Sequence, residues 1–77
     1  MQKALEIQLQ LSRKEAEALL EDERQRLQMA FNELWYADCY RHTPAGLRSG
    51  AILTDHPHLA AHKRTIGALK AALAANL

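Results

Sequence analysis

The sequence predicts a mostly all-α fold: an antiparallel helical hairpin of one long and one shorter helix, preceded by an N-terminal extended arm or short strand. Three observations carry this reading. Ser12 to His42 runs without a Gly or Pro and is rich in Ala, Leu, Glu, Gln and Arg, side chains that lose little freedom in a helix. A second apolar seam with helical spacing follows Pro57. Ahead of both, residues 3–11 alternate apolar and polar with a period of two, the pattern of a half-buried strand. The result is a single small domain, 1–77, with arm 1–11, long helix 12–42, loop 43–56 and second helix 57–76.

In the arm, Leu5, Ile7, Leu9 and Leu11 fall on one face and Glu6, Gln8 and Gln10 on the other. Leu5, Leu9, Ala16 and Leu20 also fall at helical spacings, so a helix is the competing reading of this segment. A fresh helix start at Ser12 decides for the strand or extended arm. Ser12 and Glu15 form a capping box, with Leu11 and Ala16 placed for a hydrophobic staple.

Along the long helix, Ala16, Leu20, Leu27, Ala30, Phe31, Leu34 and Ala37 make one apolar stripe, interrupted at Glu23 and Arg24. Phe31, Leu34, Trp35, Tyr36 and Tyr40 place the core in its C-terminal half. Thr43-Pro44 ends the helix, because Pro disfavours a helical residue before it. The loop TPAGLRSGAILTDHP has Gly46 and Gly50 as flexible points, and Ala51, Ile52 and Leu53 are expected to tuck back onto the hairpin. Thr54 or Asp55 caps the second helix, with Pro57 in its first turn. Leu59, His62, Ile66, Leu69 and Leu73 form the seam of that helix. Gly67, Ala68, Ala71 and Ala72 provide a small-residue surface that lets the helix axes approach.

A length mismatch follows. At ~1.5 Å per residue the first helix spans about 45 Å and the second about 30 Å. A second helix that starts beside His42 ends opposite residue 22 or 23. Leu5, Ile7, Leu9, Leu11, Leu19 and Leu20 are then left to pair with each other, with a second copy or with another protein. These six are the expected partner-binding residues.

The bulk properties narrow the classes. A chain of 77 residues buries only ~60% of its unfolded surface and often relies on a metal, a crosslink or a partner. A hydrophobic fraction of 48% with 25% charged residues is that of a globular protein rather than a disordered one. Net charge is +1, with acids and bases interleaved, which gives no general electrostatic case for nucleic acid or membrane. A lone cysteine, Cys39, excludes an internal disulfide and fits a reducing compartment. No apolar run approaches the ~20 residues of a membrane span, and the N-terminus lacks the apolar core of a secretory signal. The expected location is cytoplasmic.

Cys39, His42, His58 and His62 are candidate zinc ligands. Their C-x2-H and H-x3-H spacing imitates a zinc site, and a hairpin would bring all four to one end. The same residues serve equally as ordinary helix-end histidines and a small buried cysteine, and that reading is preferred, with no cofactor. For catalysis, Cys39 and His42 could be drawn as nucleophile and base. Asp38 points about 100° away from Cys39 on a helix and orients the imidazole poorly, and no glycine-rich phosphate loop or paired-carboxylate cleft is visible. The chain reads as no enzyme.

The alternating segment followed by a capped helix resembles the start of a ribbon-helix-helix repressor. That resemblance implies a dimeric DNA-binding regulator with Glu6, Gln8 and Gln10 as groove readers. The long helix departs from it, having no break where the first of two short helices should end, and Glu6 would face phosphate. ALE near the start, RQRLQMAFNEL and TIGALKAAL resemble segments of the helical-hairpin co-chaperones that hold type III secretion needle subunits. The histidine-bearing loop departs from that pattern. The leading expectation is a non-enzymatic protein-binding module of inhibitor, adaptor or co-chaperone type, also forming a homodimer. The alternative is the DNA-binding regulator.

Overall fold

The computed structural model describes residues 4–75. The first three residues of the expected arm and residue 76 of the expected second helix lie outside the described residues. The chain is mostly helical, with α1 (Arg13–Trp35), a short 3-10 turn (Asp38–Tyr40), α2 (Ala45–Asp55) and α3 (Pro57–Ala75). Among the described residues there is no strand, and residues 4–11 adopt neither helix nor strand.

The start of α1 follows its capping chemistry. Glu15 N–H donates to Ser12 Oγ at 3.1 Å, and Ser12 N–H donates to Glu15 Oε1 at 2.8 Å. These bonds satisfy amides that have no partner within the helix. The bond from the Ser12 amide, then that from its side chain, holds the Glu15 carboxyl below its usual range.

The helix expected to reach His42 ends at Trp35. From Trp35 to Thr43 only Ala37 and Arg41 are strong helix formers, set among aromatic, β-branched, Asp, Cys and His residues of middling propensity, and tertiary contacts overrule the local preference. The turn delivers Tyr40 into the core, where it is buried and its hydroxyl donates to Asp55 Oδ2 at 2.8 Å. Arg48 occupies the opened backbone. Its Nη1 donates to the Trp35 carbonyl at 3.1 Å and its Nη2 to the Thr43 carbonyl at 2.8 Å, while the guanidinium lies 4.9 Å from the centroid of the Trp35 ring, a cation–π contact. Tyr36, expected in the core, sits at the helix end and is exposed.

The segment expected as a loop is largely α2. Ala51, Ile52 and Leu53 do tuck back, as part of a helix whose Ile52 is fully buried. Gly46 and Gly50 lie within it at negative φ. The expected caps are engaged elsewhere: Thr54 Oγ1 donates to the Gly50 carbonyl at 2.8 Å, and Asp55 accepts from Tyr40. The chain turns at His56, and Pro57 is the first residue of α3, where a missing N–H costs nothing.

The core is concentrated at one end. Tyr40, Ile52 and Leu59 form its buried centre, with Leu27, Phe31 and Leu34 of α1 packed against it. Inserting α2 moves the start of α3 along α1. Leu59 and His58 share a cleft with Met29, Ala30 and Glu33, and at the other end Leu73 and Ala72 share one with Leu11 and Ala16. The two helices therefore run antiparallel over most of their lengths, 23 and 19 residues, or about 34 and 28 Å. The expected register, with the second helix starting beside His42 and ending opposite residue 22 or 23, does not hold.

Gly67, Ala68, Ala71 and Ala72 do not mediate close approach of the axes. All four are exposed, and a Cβ built on Gly67 would meet nothing within 4 Å. The seam is made by the larger side chains on the opposite face.

Candidate protein-binding surface

The arm enters α1 at the thin end of the molecule. There, among the described residues, only Ala16 and Leu69 are buried, two helices with small side chains packing against each other. Leu5, Ile7 and Leu9 are 88%, 79% and 71% exposed, and Leu11, next to the cap, is 40% exposed. These four expected partner-binding residues are thus exposed apolar side chains at alternate positions of the chain. Leu11 also lines a concavity of about 370 Å³ with Arg13, Ala16, Ala72 and Leu73. Its floor is apolar, and Arg13, ion-paired to Glu17 at 3.1 Å, marks its rim.

Leu19 and Leu20 differ from the arm. Both are half-buried. Leu20 lies just under one turn before Glu23, and Ile66 one turn after His62, so the Glu23–His62 contact brings Leu20 level with Ile66 in the antiparallel register. The surplus length that would have left this pair of leucines uncovered is absent.

Glu23, which interrupts the apolar stripe in the sequence, meets His62 across the seam: the His62 Nδ1 and Glu23 Oε2 atoms are in direct contact. Their side chains are 28% and 14% exposed, so each shields the other's polar atoms from the apolar surroundings. The signal was present in the sequence. Glu23 falls on the stripe of α1 and His62 on the seam of α3, and two polar residues on facing seams are natural partners.

The zinc candidates do not converge. Cys39 and His42 are exposed around the 3-10 turn, His58 is exposed at the start of α3, and His62 is turned to Glu23. Among the described residues, no three His, Cys, Asp or Glu side chains are placed to share a metal ion. The imidazoles instead form a row: the His56 and His58 rings are 5.9 Å apart at their centroids and the His58 and His62 rings 6.3 Å, both edge to face. Tyr40 continues it, 6.5 Å from His56. This row borders an open cleft of about 500 Å³ between α1 and α3, whose α1 wall carries Asp22, Arg26, Met29 and Glu33. Arg26 Nε donates to Asp22 Oδ2 at 2.8 Å, which ties up the cleft's only guanidinium. The wall carries both signs of charge beside the apolar Met29, and none of its residues is a serine, threonine or cysteine nucleophile.

Cys39 and His42, drawn from the sequence as neighbours on one helix face, lie in the 3-10 segment and the turn after it, so the helical i, i+3 geometry between them is lost. No helix among the described residues is long and apolar enough to cross a membrane. Compared with protein-family models, with curated proteins and with solved structures, the chain matches none.

Proposed function

We propose that this chain is a small non-enzymatic protein-binding module, of inhibitor, adaptor or co-chaperone type, that acts through its N-terminal arm. The observation that carries the reading is the exposure of Leu5, Ile7 and Leu9 in a segment that makes no secondary structure. Each such side chain gains about 1.5–3 kcal/mol on full burial, and a row of them at a period of two fits a strand-like partner contact. Leu11 and the apolar concavity beside it extend the same surface onto the helices. Leu19 and Leu20 contribute only their exposed edges.

The test is a binding measurement on the full chain with Ile7→Asp and Leu9→Asp introduced together. Partner capture lost on substitution, with the helical circular dichroism retained, supports the reading. Capture that ignores the arm overturns it. Retention on DNA that weakens steeply with salt and is lost with Gln8→Ala and Gln10→Ala would favour a DNA-binding ribbon instead.

A further inference from the structure

We propose that the arm's partner is a second copy of this chain, with two arms paired antiparallel about a two-fold axis at Gln8. The inference rests on the arm being the binding surface and names what it binds.

The arm has the pattern of a strand, and a strand needs a neighbour for its N–H and C=O groups. Among the described residues this chain has no strand to offer. A second arm is the nearest complementary partner, and the side chains select one register. Same-face pairing of antiparallel strands requires odd positions opposite odd positions. With Gln8 on the axis, Leu5 faces Leu11 and Ile7 faces Leu9, so all four aliphatic residues of each arm are matched. Moving the axis to Ile7 or to Leu9 leaves one aliphatic residue of each arm opposite a residue outside the row.

Charge agrees with the same register. On the other face Gln8 lies opposite Gln8, and Glu6 lies opposite Gln10, whose amide can donate to the carboxylate. Centring the pair on Glu6 would put two like charges in contact, which destabilises a ribbon. A two-fold interface of this kind is self-complementary, each contact occurring twice.

Two strands alone are marginally stable in water and need an apolar surface to rest on. The helix ends beside the arm provide it. The concavity of Leu11, Ala16, Ala72 and Leu73 opens at the thin end of the molecule, where only Ala16 and Leu69 are buried among the described residues. With strands rising ~3.4 Å per residue, Leu5 and Leu11 are about 20 Å apart along the arm. Each ribbon end thus lies next to the α1 start of one protomer, and the aliphatic face can rest on both concavities.

The register makes a sharp test. In a Cys39→Ser background, which removes the exposed native thiol, Gln8→Cys places two thiols face to face across the axis. Mild oxidation at low micromolar concentration should link the Gln8→Cys chain at least ~10-fold faster than a Gln28→Cys control on exposed α1, because pairing raises the local thiol concentration. Sedimentation equilibrium of the unsubstituted chain should show a dimer, and Ile7→Asp with Leu9→Asp a monomer of unchanged helicity. A monomer at high micromolar concentration, with Gln8→Cys linking no faster than the control, overturns the second copy. A photo-crosslinker at Leu9 then separates the two ideas. Crosslinking to a different protein overturns self-pairing and keeps the arm as an interface, whereas no arm crosslink removes both.

Discussion

Tyr40 and Asp55 join the turn after α1 to the last residue of α2 through a 2.8 Å hydrogen bond from phenol to carboxylate. The bond closes one side of the core in which Tyr40, Ile52 and Leu59 meet. It also fixes the direction in which the chain re-enters the molecule before α3.

The contact sets an alkaline limit. Burial first, then the hydrogen bond to Asp55, the Asp55 charge and the neighbouring Cys39 push the Tyr40 phenol up to about 12 from an ordinary value of 10.0. The folded state holds this proton more tightly than the unfolded state. The stabilisation is therefore whole below pH 10 and is lost as pH rises towards 12. Urea midpoints measured across that window should fall more steeply for the wild-type chain than for Tyr40→Phe, which has no phenol proton to lose. Parallel curves would show that other groups control the alkaline transition.

Arg48 should be a fold residue despite its charge. Its two carbonyl contacts bridge the end of α1 and the turn at Thr43, and bonds from a charged donor contribute about 1.5–3 kcal/mol each. Arg48→Ala should cost about 2–4 kcal/mol in chemical denaturation. Arg48→Lys should recover only a part, since one ammonium cannot reproduce the planar fork or the stacking on Trp35. Full rescue by lysine would reduce the role to charge alone.

The α2 helix was hidden in the sequence by its own composition. Gly46 and Gly50 each cost about 0.8–1 kcal/mol relative to Ala in a helix, and Pro44 with Thr54-Asp55 reads as loop chemistry. Yet Ile52 is the most completely buried large side chain together with Leu59. Ile52→Ala should cost about 2–5 kcal/mol. Gly50→Ala should instead stabilise by roughly 0.5–1 kcal/mol, because its φ is ordinary and a Cβ meets nothing within 4 Å. Thermal melts of the two variants shifting in the same direction would contradict a packed helix here.

What was legible follows from how local each signal is. The capping box at Ser12 and the start of α3 at Pro57 depend on neighbouring residues, and both appear where the sequence puts them. The end of α1 depends on Arg48 and Asp55 reaching back from α2, contacts that no window around Trp35 contains. The same holds at the site. The alternation of Leu5, Ile7 and Leu9 is local and legible, but it reads as a half-buried strand. The length mismatch that left these residues uncovered does not hold, and they are exposed in a segment without secondary structure, whereas cover for Leu19 and Leu20 depends on where α2 sets α3 down. The metal spacing of Cys39, His42, His58 and His62 assumed a hairpin turn that the intervening helix replaces.

Glu23 and His62 should be energetically coupled. Replacing either alone by Leu leaves the other half-buried without its partner, a cost of about 1–3 kcal/mol. Replacing both should cost less than the sum, since an apolar pair suits the facing seams of α1 and α3. A double-mutant cycle read by urea denaturation measures this coupling. Strict additivity would mean that the two side chains meet without stabilising the α1–α3 register.

Stability and association should separate along the first half of the chain. Leu9 is 71% exposed in the arm, so Leu9→Asp should change the melting temperature little, surface changes usually lying within about 0.5 kcal/mol. Leu20 is half-buried, so Leu20→Asp puts a carboxylate at a partly desolvated position and should destabilise by several times as much, about 2 kcal/mol or more. Association should respond in the opposite order, with Leu9→Asp abolishing the dimer while the folded fraction stays high. Sedimentation equilibrium paired with thermal circular dichroism on both variants distinguishes the roles. If Leu9→Asp unfolds the chain while Leu20→Asp stays folded and monomeric, the arm is part of the fold and the contact surface lies on α1.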